Sequence, residues 1–151
     1  MGNTIFIDRS NPFDPINFIG IDWNIIEEDK RSLALSEVDL SQVRFETMLR
    51  SCEIKITGEE KLKRLKASRN IRLDAKIFQT LWENQHCIPQ SWKEKVNGNI
   101  RYIFFDGTVI RNRHCVHCVL CLYWDGGRWY REHHWLGRDR HAPSSSAVLA
   151  N

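Results

Sequence analysis

The sequence predicts an α+β fold, with a helical middle packed on one face of a C-terminal antiparallel β-meander of about four strands. Three observations lead there. Apolar and aromatic residues alternate through RYIFFDGTVIR, CVHCVLCLYW and RWYREHHWL, between Arg101 and Leu136. Short turn signals, Asp106-Gly107, Asn112–His114 and Asp125-Gly126-Gly127, divide these runs. Upstream, ITGEEKLKRLKA and LDAKIFQTLWENQH carry helical periodicity and caps. A chain of 151 residues suits one domain. Its expected parts are an extended arm over 1–20, a mainly helical stretch over 21–98, the sheet over 99–141 and a tail over 142–151.

Taken in order, SNPFDPINF discourages helix because two prolines stand three residues apart. Residues 21–26 read as a short strand or as apolar packing. Behind Ser41, the positions Val43, Phe45, Met48 and Leu49 suit a short amphipathic helical turn. Thr57-Gly58-Glu59-Glu60 is a capping box, with Thr57 accepting from the Glu60 amide and the Glu60 carboxylate reaching back. The helix it opens places Leu62 and Leu65 on one side. Asp74 caps a second helix whose stripe is Ile77, Phe78, Leu81 and Trp82. Pro89 opens a third, PQSWKEKV. Asn97-Gly98 reverses the chain into the sheet. The Ser-rich end, HAPSSSAVLAN, reads as a loop with a short apolar terminus.

The segments ITGEEKLKRLK, IRLDAKIFQTLWENQHCIPQSWKEK, FFDGTVIR, CLYWDGGRWY and PSSSAVLA resemble a family of small hypothetical proteins from uncultured, reduced-genome bacteria. The resemblance spans residue 21 to the C-terminus. It implies a bacterial source and no assigned function. The resemblance implies that relatives more often carry aliphatic or aromatic residues where Cys115 and Cys118 stand, which sets the cysteine-rich look of this chain apart.

Charge is uneven. Residues 1–54 hold ten acids against five bases, while residues 55–151 hold 17 bases against nine acids. A formal total of +3 is small for a dedicated nucleic-acid binder, so the acidic part is expected to lie against the basic part. No basic stretch followed by a long apolar run stands near the N-terminus, and no run approaches 18 apolar residues. Five cysteines without an export signal read as free thiols in the cytoplasm. No membrane partner and no cofactor are expected.

Strand parity sorts the candidate residues. Val116, Cys118, Leu120, Leu122 and Trp124 share a core face with Trp129, His133 and Trp135. The opposite face presents Tyr123, Tyr130, Glu132 and His134, with Arg111, Arg113, Arg128 and Arg131 near the strand ends. Aromatic and arginine side chains on an exposed sheet can stack bases and contact phosphate, and they are also ordinary cross-strand pairs. The expectation is therefore a non-enzymatic binding module whose partner is protein or nucleic acid. Arg111, Arg113, Tyr123, Arg128, Tyr130 and Arg131 are its contact residues. One alternative is nucleic-acid binding through those arginines and the basic helix (Lys61, Lys63, Arg64, Lys66, Arg69, Arg72). Another is a zinc site from Cys115, His117 and His134. The Cys115-x2-Cys118-x2-Cys121 spacing itself cannot converge on one ion along a strand, because residues three apart face opposite ways. No nucleophile–base pair, phosphate-binding loop or metalloprotease motif is found, so catalysis has no support in the sequence.

Overall fold

The alternation from Arg101 onward builds strands, but the sheet they belong to is larger than the sequence suggests. A computed structural model describes residues 3–151. Its elements in chain order are β1 (Thr4–Phe6), α1 (Pro15–Phe18), β2 (Asn24–Glu28), α2 (Lys30–Leu33), β3 (Glu37–Asp39), β4 (Arg44–Glu46), β5 (Lys55–Thr57), α3 (Gly58–Ala67), β6 (Ile71–Arg72) and α4 (Ala75–Glu83). The C-terminal part adds β7 (Tyr102–Arg111), β8 (His117–Asp125), β9 (Arg128–Trp135), β10 (Asp139–His141) and β11 (Ser144–Leu149).

Seven strands form the main sheet, in the order β4-β11-β7-β8-β9, with β2 added to β7 and β6 to β11. This overturns the expected four-stranded antiparallel meander beneath a helical middle. The sheet is mixed, because β11 runs parallel to β7 while pairing antiparallel with β4 and β6. The middle is strand and loop as much as helix. Among the described residues only α3 and α4 exceed one turn, and PQSWKEKV supplies just a 3-10 turn at Gln90–Lys93. The stretch around Phe45, expected as a helical turn, is β4. Its apolar residues are too few to decide between periods, and pairing with β11 settles the matter.

The Asp106-Gly107 pair does not turn the chain either. It lies inside the ten-residue β7, where Asp106–Val109 stand opposite Val119 alone and bulge out of the β8 ladder. The bulged main chain finds other partners. Gly107 N donates to Leu73 O at 2.9 Å, and Gly107 O accepts from Asp29 N at 2.8 Å. A buried backbone amide needs such a partner wherever its ladder is broken.

Two cores result. On the inner face, α4 lays Ile77, Phe78 and Leu81 against Ile103, Phe105, Leu120 and Leu122, and Ile5, Ile7, Phe13, Val38 and Leu40 of the N-terminal region close the same cluster. On the outer face, Leu62 of α3 and Leu136 cover Phe104, Val109, Val119 and Cys121. The outer face is therefore open only in part.

Candidate functional site

On the outer face, direct cross-strand pairing aligns Tyr102, Tyr123 and Tyr130 in one row over β7, β8 and β9. Ring centroids are 5.0 Å apart for Tyr102–Tyr123 and 5.3 Å for Tyr123–Tyr130, the latter stacked at 12°. Such pairs stabilise a sheet, and their half-buried rings also leave an aromatic row partly open at the surface. Arg128 adds its guanidinium 4.6 Å from the Tyr130 ring centre.

Beside the row, the pairs Cys121–Glu132 and Val119–His134 continue the face inward. Glu132 is exposed. The His134 side chain is 9% exposed; its Nε2 lies 3.6 Å from Glu132 Oε2 and has no hydrogen-bond partner among the described residues. A buried ring nitrogen without a partner is costly, so its presence marks a place that a ligand group or an ordered water would satisfy. His134 lines a hollow of about 410 Å³ together with Tyr102, Glu132, Arg138, Asp139, His141 and Ser144. Through Tyr102, His141 and Ser144 the hollow runs into a second groove of about 650 Å³ that reaches Lys95 and Asn99.

Burial, with Arg138 beside it, pushes the His134 pKa down, and Glu132 opposes the shift only in part. Burial, reinforced by the Glu132 carboxylate, raises Tyr123 to about 12 and also raises Tyr102. At neutral pH the site therefore presents a neutral imidazole and two protonated phenols. It can donate and accept hydrogen bonds.

The structure gathers Tyr123, Tyr130 and Arg128, and sets the other arginines elsewhere. Arg111 pairs with His117 at the far end of β8 from the Asp125–Arg128 hairpin end, and Arg113 sits beside Asp22 at 4.0 Å. Arg131 belongs to the inner face, 3.9 Å above the Phe18 ring, and Arg131 Nη2 donates to Phe18 O at 3.2 Å. Tyr102, Arg138, His141 and Ser144 were not among the expected contact residues. Tyr102 could have been found only by knowing the β7–β8 register, which the bulge conceals.

The thiols and imidazoles do not assemble. Cys115 is exposed, in a turn with φ of 61°, while His117 begins β8 and His134 lies across on β9. Among the described residues no group of three or more His, Cys, Asp or Glu side chains is placed to hold a metal ion. Cys118 points into the inner core and Cys121 into the outer one, as strand alternation requires.

Half of the basic run (Arg64, Lys66 and Arg72) is paired with acids of the same chain. Lys66 pairs with Glu27 at 2.7 Å, Arg64 with Glu53 at 2.6 Å and Glu60 at 2.9 Å, and Arg72 lies 3.6 Å from Asp29. Lys61 is buried and donates from Nζ to Ser144 O at 2.7 Å. The acidic first third of the chain therefore folds against the basic remainder.

No family model, curated protein or solved structure matches the chain. No helix among the described residues is long and apolar enough to cross a membrane.

Proposed function

We propose that the protein is a non-enzymatic binding module that grips a protein partner through the open part of the outer sheet face. One observation carries the reading: three tyrosines stand in a row over β7–β9, and the first of them, Tyr102, also lines a hollow shared with the buried His134, whose Nε2 has no hydrogen-bond partner among the described residues. Tyrosine is a frequent anchor residue at interfaces, because it buries a large rigid surface and keeps a polar tip. In this reading the tyrosine row lies under an apolar or planar part of the partner, and a polar side chain of the partner enters the hollow and bonds to His134. Arg128 adds a charged rim.

A protein partner is favoured over nucleic acid because the cations named for phosphate contact are dispersed or already paired with acids. The expected setting is a reducing compartment such as the cytoplasm, which suits five cysteines without a disulfide.

The test is capture from the native host with wild-type protein and with Tyr123→Ala/Tyr130→Ala, each with and without nuclease. The reading expects a defined protein captured by the wild type, resistant to nuclease, and reduced at least about tenfold by the double substitution. Capture that is unchanged by the substitutions, or abolished by nuclease, contradicts it.

A further inference from the structure

β9 is a terminal strand of the main sheet, and its outward edge carries unpaired main chain. The hydrogen bond from Leu136 N to His117 O at 2.9 Å fixes the phase of the β8–β9 ladder. Even-numbered residues of β9 turn their N–H and C=O groups toward β8, so Trp129, Arg131, His133 and Trp135 turn theirs outward. Trp135 O is already taken by Arg138 N and Arg140 Nη2. Trp129, Arg131 and His133 have no main-chain partner on that side among the described residues. Such an edge is a template for another strand.

We propose that a second copy of this chain occupies the edge, β9 against β9, antiparallel about a two-fold axis at Tyr130. Charge selects the register. With Tyr130 opposite Tyr130, Arg128 of each copy faces Glu132 of the other, giving two complementary pairs on the outer face. Trp129 and Arg131 then exchange main-chain hydrogen bonds with their counterparts, which uses the free groups in the correct phase. Slipping by two residues one way sets Arg131 against Arg131. The opposite slip leaves Glu132 facing Gly126. Both alternatives lose the two ion pairs, so the alternating signs that protect an edge from promiscuous pairing specify one register here.

The pairing rests on main-chain geometry and charge and stands apart from the ligand reading above. It has a consequence for that reading, since the selected register places the two tyrosine rows end to end across six strands, Tyr102, Tyr123 and Tyr130 of one copy meeting Tyr130, Tyr123 and Tyr102 of the other. An interface of one short strand is below the standard size, so the association is a weak, concentration-dependent one.

Sedimentation from roughly 10 µM to roughly 1 mM, the range in which so small an interface associates, tests it. The wild type should shift from monomer to dimer. Arg128→Glu and Glu132→Arg alone should each weaken association at least about tenfold by setting like charges opposite one another. The double variant Arg128→Glu/Glu132→Arg should restore it, because the pairs re-form with reversed signs. Both positions are exposed, and circular dichroism checks that the sheet persists. A wild type monomeric throughout overturns the proposal, as does association in which the single variants match the wild type. A double variant that folds but fails to recover overturns it too. Loss of the protein partner with the dimer intact would count against the binding reading alone.

Discussion

Lys61 shows at the scale of one residue how this fold tolerates charge in its interior. Its side chain is buried over Phe104, 5.1 Å from the ring centre, and burial pushes its pKa from the usual 10.5 down to about 8. Because the folded pKa lies below the unfolded one, the unfolded chain binds more protons between those values. Lys61 therefore destabilises the fold fully below pH 8, and that cost fades as pH rises toward 10.5. The buried thiols act oppositely in the alkaline range, since Cys118 is raised from 9.0 to about 11 and Cys121 is raised also. The difference between wild type and Lys61→Met cancels the thiol contribution. We predict that the variant is more stable by about 1–3 kcal/mol at pH 7 and that the gap closes near pH 10.5, measured by urea unfolding at several pH values. A gap independent of pH would contradict it. The same burial predicts thiol reactivity: Cys52 and Cys115 should react rapidly with an aromatic disulfide reagent, while Cys118 and Cys121 react only on unfolding.

At the scale of elements, Gly107 and Asp74 join strand, bulge and helix. A Cβ built on Gly107 would collide with the main-chain oxygen of Arg72 and stand 2.5 Å from that of Leu73, atoms that cannot swing aside. Gly107→Ala should cost about 3 kcal/mol or more, read from the midpoint of chemical denaturation. Asp74 accepts from Lys76 N at 2.8 Å to cap α4, and from both Nη atoms of Arg9 at 3.0 and 2.9 Å. Asp74→Ala should therefore cost about 3 kcal/mol, well above the ~1 kcal/mol of losing a cap alone. Thr57→Ala supplies that comparison, because Thr57 makes the cap to Glu60 N at 3.1 Å while the Glu60 carboxylate turns to Arg64 at 2.9 Å instead of completing the box.

These elements also show what was legible. Both long helices follow from Thr57, Asp74 and their apolar stripes, and the β8–β9 hairpin from Asp125-Gly126-Gly127 and its flanking alternation. The sequence hides what tertiary contact decides. Asp106-Gly107 has the composition of a hairpin turn but serves close backbone approach at a bulge. Ser144-Ser145-Ser146 has the composition of a loop, yet it forms a strand with Ser145 and Ser146 buried and the Ser146 hydroxyl donating to Asp106. No local periodicity marks either. Tyr123, Tyr130, Glu132 and His134 were readable as one face from strand parity. The hollow was not, because Tyr102, His141 and Ser144 reach it only through the β7 register and the insertion of β11.

For the whole molecule, the N-terminal third is structural and not an appendage. It contributes Ile5, Phe13, Val38 and Leu40 to the inner core, β2 and β4 to the sheet, and Glu27, Asp29 and Glu53 to the neutralisation of α3 and Arg72. A fragment comprising residues 55–151 should lack cooperative thermal unfolding, because it strips Ile5, Phe13, Val38 and Leu40 from the inner core, removes β2 and β4 from the sheet, and takes Glu27, Asp29 and Glu53 away from Lys66, Arg72 and Arg64. On the outer face of β7–β9, Phe104, Val109, Val119 and Cys121 are buried, while Tyr102, Tyr123 and Tyr130 stay half-buried and Glu132 exposed. The most direct measurement places a photocrosslinking amino acid at Tyr123, and separately at Lys63 on the solvent side of α3, in the native host. The account predicts a partner protein joined through position 123 and none through position 63. Crosslinks formed only from the helix, or nucleic acid joined at either position, would contradict it.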